Sequence, residues 1–271
     1  MVLTPILYAV LVLGGIGLIF GLLLGVAGKK FAVEVDERVD QVREKLGGAN
    51  CGACGYAGCD AFADAVVKGE APVNGCPVGG KKAADAIAAI MGVEAGDAEE
   101  EKVARVRCSG NCDNMYVRYQ YSGIQSCRAA AGISGGPKKC HFACVGLGDC
   151  VKVCKFGALS VENGTAKVDP DKCTGCGACE AICPREIIKV LPRDQTILVA
   201  CRNKAIGKTA RLQCKTACVA CGRCAKQCPS EAISMVEGVA KIDETKCTRC
   251  GACVSVCPMH CIHNLYEENR A

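Results

Sequence analysis

Tryptophan is absent, and aromatic residues make up only 4% of the 271-residue chain. A soluble chain of this length ordinarily builds its core around more aromatic area, so something else must fill the interior. Acidic and basic side chains are absent from residues 1–28. That stretch has no basic leader and no Ala-x-Ala site before Lys29, which argues against a cleaved signal peptide. No basic run is interleaved with aromatics, so the formal charge of +5 is no argument for nucleic acid as a partner. No Gly-x-Gly-x-x-Gly follows a predicted strand, and Gly207-Lys208-Thr209 resembles the end of a phosphate loop only superficially, because Arg202 stands at its first glycine position.

Cysteine, by contrast, occurs 26 times, several times ordinary usage. The cysteines fall in tight runs whose members cannot all pair with one another, but can surround a metal centre. The longest apolar run, Val2 to Ala27, is long enough for a membrane-spanning helix, since 25 helical residues cover ~37 Å against a ~30 Å hydrocarbon core. Lys29 and Lys30 follow directly, which places the rest of the chain on the cytoplasmic side. A reducing compartment also suits thiolate ligands. Gly14, Gly17, Gly21 and Gly25 form a small-residue stripe suited to a partner helix.

Beyond the anchor, Val35, Val39, Val42 and Leu46 keep helical spacing up to Gly47-Gly48. A second helix is expected from Lys81 to Met91, followed by the acidic run 97–101. Residues 103–135 show no strong periodicity. The remainder is a duplication with an offset of 74: Cys127, Cys140, Cys144, Cys150, Cys154, Cys173, Cys176, Cys179 and Cys183 match Cys201, Cys214, Cys218, Cys224, Cys228, Cys247, Cys250, Cys253 and Cys257. Each copy contains a hairpin pattern, Leu159–Val168 around Asn163-Gly164 and Ile233–Ile242 around Glu237-Gly238.

The second copy carries two C-x2-C-x2-C-x3-C-Pro runs, the bacterial two-cluster ferredoxin pattern, in which the fourth cysteine of each run crosses to the other cluster. Cys218, Cys221, Cys224 and Cys257 are thus expected to hold one [4Fe-4S] cluster, and Cys228, Cys247, Cys250 and Cys253 another. In the first copy, Cys154, Cys173, Cys176 and Cys179 repeat the second set. The other run departs from the pattern: Leu147 stands where the second copy has Cys221, and Lys155 replaces the usual proline. Cys140 is the nearest substitute, giving Cys140, Cys144, Cys150 and Cys183, with a three-ligand [3Fe-4S] site as the alternative. Upstream, Cys51, Cys54, Cys59 and Cys76 form a C-x2-C-x4-C-x16-C unit whose glycines let backbone N–H groups approach sulfur. Five clusters follow. With twenty thiolates on five cores of about +2, the net charge becomes about −5. Cys108, Cys112, Cys127, Cys201, Cys214 and Cys261 remain, either packed as small apolar residues or serving a further cluster. His260 and His263 read as surface or packing residues.

The sequence therefore predicts an α+β chain of small iron–sulfur domains. They are a transmembrane anchor (1–28), a helical Gly/Cys-rich 4Fe-4S unit (29–92), a linker (93–135), a ferredoxin-like module (136–192), a connector (193–212) and a second such module (213–271). An anchor, then the Asn50–Cys59 unit with Cys76, then ferredoxin modules is an order that closely resembles the B subunits of the Rnf complexes, membrane ferredoxin:NAD+ oxidoreductases that move Na+ or H+. The duplicated region is similar to the longer forms from anaerobic bacteria, and departs from shorter forms with one ferredoxin module. The resemblance covers nearly the whole chain. It implies a component of a translocase that takes electrons from reduced ferredoxin and relays them to other membrane and flavin-bearing subunits, with no catalytic residue of its own. Two alternatives remain open at the level of sequence: a polyferredoxin subunit of a membrane hydrogenase or quinone reductase, and a zinc-stabilised membrane adaptor without a redox role. If ferredoxin docks electrostatically, candidate basic residues are Lys138, Lys139, Lys152, Lys155, Arg202, Lys204, Lys208, Arg211 and Lys215.

Overall fold

The computed structural model describes residues 3–30, 36–96 and 100–268. The expected helix residue Val35 and part of the acidic run 97–101 lie outside these residues. Helix α1 (Leu3–Lys30) is a single 28-residue helix, ~42 Å long at 1.5 Å per residue. Its segment Leu11–Gly28 is apolar enough to cross a membrane and none of it is buried within the chain. Leu11, Leu13, Leu18, Phe20 and Leu22 all point outward, as an apolar solvent would require.

Three helices then form a small bundle: α2 (Glu37–Lys45), α3 (Cys59–Val67) and α4 (Gly80–Met91). The Asp36 side chain accepts from the Arg38 N–H and caps α2. Val42 and Leu46 pack on Phe62, Ala63, Val66, Ala83 and Ile87. Alanines dominate the facing surfaces, so the helices approach closely around Phe62, whose ring meets Tyr56 edge-on at 5.5 Å. Arg43 Nε donates to Asp60 Oδ1 at 2.5 Å, joining α2 to α3.

The remainder is built from short pieces. In the first copy, β1 (Lys102–Val106) pairs antiparallel with β4 (Ile188–Pro192), Ala104 opposite Val190. The hairpin β2 (Leu159–Glu162) and β3 (Thr165–Val168) turns at Asn163-Gly164, both residues at positive φ. The helices of this copy are α5 (Cys127–Gly132), α6 (Asp149–Lys152) and α7 (Ala178–Ile182). The second copy repeats the plan: β5 (Ile197–Val199) pairs with β8 (Ile262–Asn264), and β6 (Ile233–Val236) with β7 (Val239–Ile242). Its helices are α8 (Gly207–Arg211), α9 (Arg223–Gln227), α10 (Ala252–Ser255) and the terminal α11 (Leu265–Glu268).

Two stretches that read as linker and connector thus supply strands. β1 comes from 93–135 and β5 from 193–212, and each closes onto the last strand of its own copy. Each is too short to show a period, but Val103, Ala104, Ile197, Leu198 and Val199 are buried, so packing on the partner strand fixes them. Two buried clusters form here, one of them shared by residues of both copies, and both are rich in cysteine.

Candidate metal centres

The short helices α6, α7, α9 and α10 share one device. Each is preceded by a glycine with φ between 69° and 78°: Gly148, Gly177, Gly222 and Gly251. The positive φ reverses the chain between two cysteines of a run and wraps the loop around a concavity.

Three cysteine sets line cavities. Cys51, Cys54, Cys59 and Cys76 share one with Gly52, Gly58 and Phe62. Asn50 Oδ1 accepts the Cys59 N–H at 2.8 Å and fixes the start of α3, while the Gly79 N–H reaches Cys76 Sγ at 3.4 Å. A side chain at Gly79 would press on Ala83 Cβ at 2.5 Å, so glycine keeps this cradle open. Cys218, Cys221, Cys224 and Cys257 line the second cavity.

The walls of the third cavity differ from the set expected around Leu147. It is lined by Cys127, Cys144, Cys150 and Cys183, and Cys140 is not among its walls. The physical reason is a hydrogen-bonded clamp at the start of α5. The Ser126 hydroxyl and the Arg128 N–H both donate to Asp149 Oδ2, at 2.9 and 3.3 Å, and seat Cys127 beside Cys150. Cys140 instead lies with Cys201 and Cys214 in the core of the second copy, with Cys108 packed against it.

Parts of the two remaining sets lie close together. Burial pushes the Cys179 thiol up to about 12, with Cys173 and Cys176 nearby. Cys154 packs in the same core. Burial likewise raises Cys253 to about 11, with Cys247 and Cys228 nearby. The proximity of Cys228 to Cys253, and of Cys183 to Cys150, is the crossing expected of two-cluster loops. Backbone N–H groups aim at these sulfurs: Ala104 at Cys173 (3.4 Å), Ala166 at Cys144 (3.5 Å) and Ala232 at Cys228 (3.3 Å). The Gln195 amide lies 3.8 Å from Cys247 Sγ.

Cys261 is a contributor that sequence spacing missed. It is buried, lines the cavity of Cys218 and Cys257, and sits 3.6 Å from Cys257 Sγ. Its S–H bond holds Cys257 down to about 5 and Cys218 to about 6, while its own thiol is pushed far up by the same two contacts. Burial dominates elsewhere: Cys144 rises to about 12 and Cys150 to about 11. Thiols so buried need a compensating positive centre to ionise, and the cysteine sets with their N–H donors fit iron–sulfur clusters.

His263 is half-buried on β8, its Nε2 2.9 Å from Ser109 Oγ, so it is a packing residue. Several basic residues considered for docking are occupied within the chain. Lys138 is buried and donates to the carbonyls of Gly110 and Gly164. Lys152 donates to Gln125, Lys155 to Ala49 and Asn50, and Lys215 to Asp113. Arg202 pairs with Glu186 and Lys204 with Glu237. Lys208 and Arg211 are exposed on α8.

An apolar helix followed by several cysteine-lined cavities with amide donors is the make-up of an iron–sulfur electron-transfer protein. Family models agree: an Fe-S cluster segment matches residues 46–78, a 4Fe-4S binding domain 166–189, and a 4Fe-4S dicluster domain 212–258. The chain is 49% identical over 261 residues to the B subunit of the Na(+)-translocating ferredoxin:NAD(+) oxidoreductase complex of Acetobacterium woodii, covering 96% of this chain and 78% of that protein. It is 41% identical to the B subunit of the ion-translocating oxidoreductase complex of Methanosarcina acetivorans (90% and 92% covered). It is 40% identical to the B subunit of the proton-translocating ferredoxin:NAD(+) oxidoreductase complex of Clostridium ljungdahlii (85% and 81%). The chain belongs to the B subunits of the ion-translocating ferredoxin:NAD+ oxidoreductase complexes. It is an electron-transfer subunit with multiple [4Fe-4S] clusters, associated with a membrane complex of several subunits.

Proposed function

We propose that this chain is the electron-input arm of its complex: two tandem ferredoxin-like modules and a Gly/Cys-rich exit unit, tethered by a single membrane pass with the cluster domains in the cytoplasm. Reduced ferredoxin delivers electrons to the modules, and Cys51, Cys54, Cys59 and Cys76 hand them to the next subunits, flavin-bearing ones among them. When bound, the clusters supply one-electron transfer. The protein's part is to hold them with thiolates, shield them from water and tune them with N–H donors. The ligand sets are Cys51/Cys54/Cys59/Cys76, Cys127/Cys144/Cys150/Cys183, Cys154/Cys173/Cys176/Cys179, Cys218/Cys221/Cys224/Cys257 and Cys228/Cys247/Cys250/Cys253.

The observation that carries the reading is the contact between the Gly/Cys-rich unit and the first copy. Lys155 Nζ, next to Cys154, donates to Ala49 O at 2.7 Å and Asn50 O at 3.2 Å, next to Cys51. One lysine thus ties the loop of one site to the loop of another, and the second copy lies at the far end of the series. Exposed Lys208 and Arg211 on the second copy suit an acidic donor, whose on-rate would fall with salt. The test is Cys54→Ala in the assembled complex. Reduction of the remaining clusters by ferredoxin should persist while NAD+ reduction is abolished. If the variant blocks entry of electrons from ferredoxin, the series runs the other way.

A further inference from the structure

The placement of Cys140 exposes a second four-cysteine arrangement. The 74-residue offset aligns Cys127 with Cys201, yet they do not occupy equivalent places in the fold. The structural counterpart of Cys201 is Cys108. Each follows the strand that closes onto the last strand of its copy, β5 on β8 and β1 on β4. Each sulfur accepts two backbone N–H groups from matching positions. For Cys108 these are Gly110 and Cys144, both at 3.4 Å. For Cys201 they are Asn203 at 3.4 Å and Cys218 at 3.3 Å.

Cys140 and Cys214 are the second matched pair. The Phe142 N–H lies near Cys140 Sγ, and the Ala143 N–H donates to Cys140 O at 3.2 Å. Cys214 forms a β-bridge with Met115, which brings a first-copy strand segment across to the second copy. Position 110 shows how close the first and second copies come. A Cβ added to Gly110 would lie 3.4 Å from Cys108 Sγ and 3.9 Å from Cys214 Sγ, and would strike the Met115 methyl group. Cys140, Cys201 and Cys214 are 5–7% exposed, and Cys108 packs against the core they share. Cys140 lies close to both Cys108 and Cys214, and Cys201 lies close to Cys140.

We propose that Cys108, Cys140, Cys201 and Cys214 bind a sixth [4Fe-4S] cluster at the contact between the two copies. Each copy contributes two ligands, from matched positions. Packing alone does not account for the arrangement: three buried thiols and one half-buried thiol from four separate segments meet, and four N–H groups donate to two of the sulfurs. Such donors stabilise thiolate rather than thiol, and four thiolates are the ligand set of this cluster. With this site, all the cysteines except Cys112 and Cys261 are ligands, and the cluster stands between the modules as a relay. The inference rests on the chain being a cluster protein, but not on the direction of electron flow.

The test is anaerobic iron and sulfide counting on the detergent-solubilised full chain, with Mössbauer spectra of the same samples. The wild type should hold about 24 irons, not about 20. Cys201→Ser and Cys214→Ser should each fall to about 20 with the other five clusters spectroscopically intact, and Cys112→Ser should keep about 24. A wild-type value of about 20, or retention of all iron in both ligand variants, overturns the sixth cluster while leaving the electron-transfer reading in place. One zinc per chain with about 20 irons overturns it too. Wild-type iron far below 20, with zinc in its place, would sink both readings.

Discussion

Leu147 shows how one lost ligand is replaced. The first copy carries Leu at the position of Cys221, and Cys127 arrives at the same cavity from α5. Cys108 and Cys140 lie 32 positions apart while Cys201 and Cys214 lie 13 apart, so the first copy has 19 extra residues, and these carry α5 and Cys127. Cys127→Ala should therefore lose or convert to a three-iron form the cluster of Cys144, Cys150 and Cys183, read by iron content and EPR. Adding Leu147→Cys should restore it, which a merely structural role for Cys127 does not predict. Cys261 acts differently, as a thiol donating to ligand sulfur. Cys261→Ala should leave iron content unchanged and lower the potential of the Cys218–Cys257 cluster. One hydrogen bond of about 1 kcal/mol corresponds to roughly 40 mV for one electron. An unchanged potential in an EPR-monitored titration would remove Cys261 from the tuning of that site.

At the scale of elements, the loops that precede the short helices set how readily each site takes metal. In the chelator-stripped protein, protons compete with iron for each sulfur. Cys218 and Cys257 are held down to about 6 and 5 by their contacts with Cys261, which favours the thiolate. Cys144 and Cys150, raised to about 12 and 11 by burial, stay protonated there. A raised value means that uptake falls as pH falls, so at about pH 6.5 the second copy should refill first and the Cys144 site should lag, the gap narrowing near about pH 8.5. Equal uptake at both values would contradict this. Backbone geometry imposes its own limit at Gly146, where φ is 86° and a Cβ would sit 2.6 Å from Gly164 O on the β2–β3 turn. Gly146→Ala should cost at least about 2 kcal/mol in denaturant unfolding of the loaded protein. The hairpins, the long apolar helix and the helices α2 and α4 were legible from the sequence because turn dipeptides, an uncharged apolar run and 3.6-residue spacing are local signals. β1, β5 and the place of Cys127 were not. The strands are three to five residues long and are fixed by partners about 65–90 positions away. Cys127 was hidden because a coincident offset paired it with Cys201, whereas the fold pairs Cys201 with Cys108.

For the whole molecule, the proposed relay needs neighbouring sites to be held together, and the Lys155 side chain joins the Gly/Cys-rich unit to the first copy. Lys155 stands where the other three cysteine runs of the duplication have proline, a residue without a charged group to offer. Its ammonium donates to the Ala49 and Asn50 carbonyls, so the Cys154 loop and the Cys51 loop share a hydrogen-bonded junction. Charged hydrogen bonds of this kind contribute roughly 1.5–3 kcal/mol, less where water competes as it does at this exposed lysine. Both ligand sets are complete without Lys155, so the effect of its loss should be on transfer rather than on cluster content. Lys155→Met keeps the aliphatic stem and Lys155→Pro restores the residue of the other runs. Both should retain wild-type iron and accept electrons from ferredoxin at the wild-type rate. Reoxidation of the modules through the Cys51–Cys76 site should slow, measured by rapid-freeze EPR after a reducing pulse in the assembled complex. Lys155→Arg, which keeps the donor, should recover much of the rate. If Met and Pro variants transfer as fast as wild type with iron intact, the junction is not the route out, and electrons leave the modules at another face.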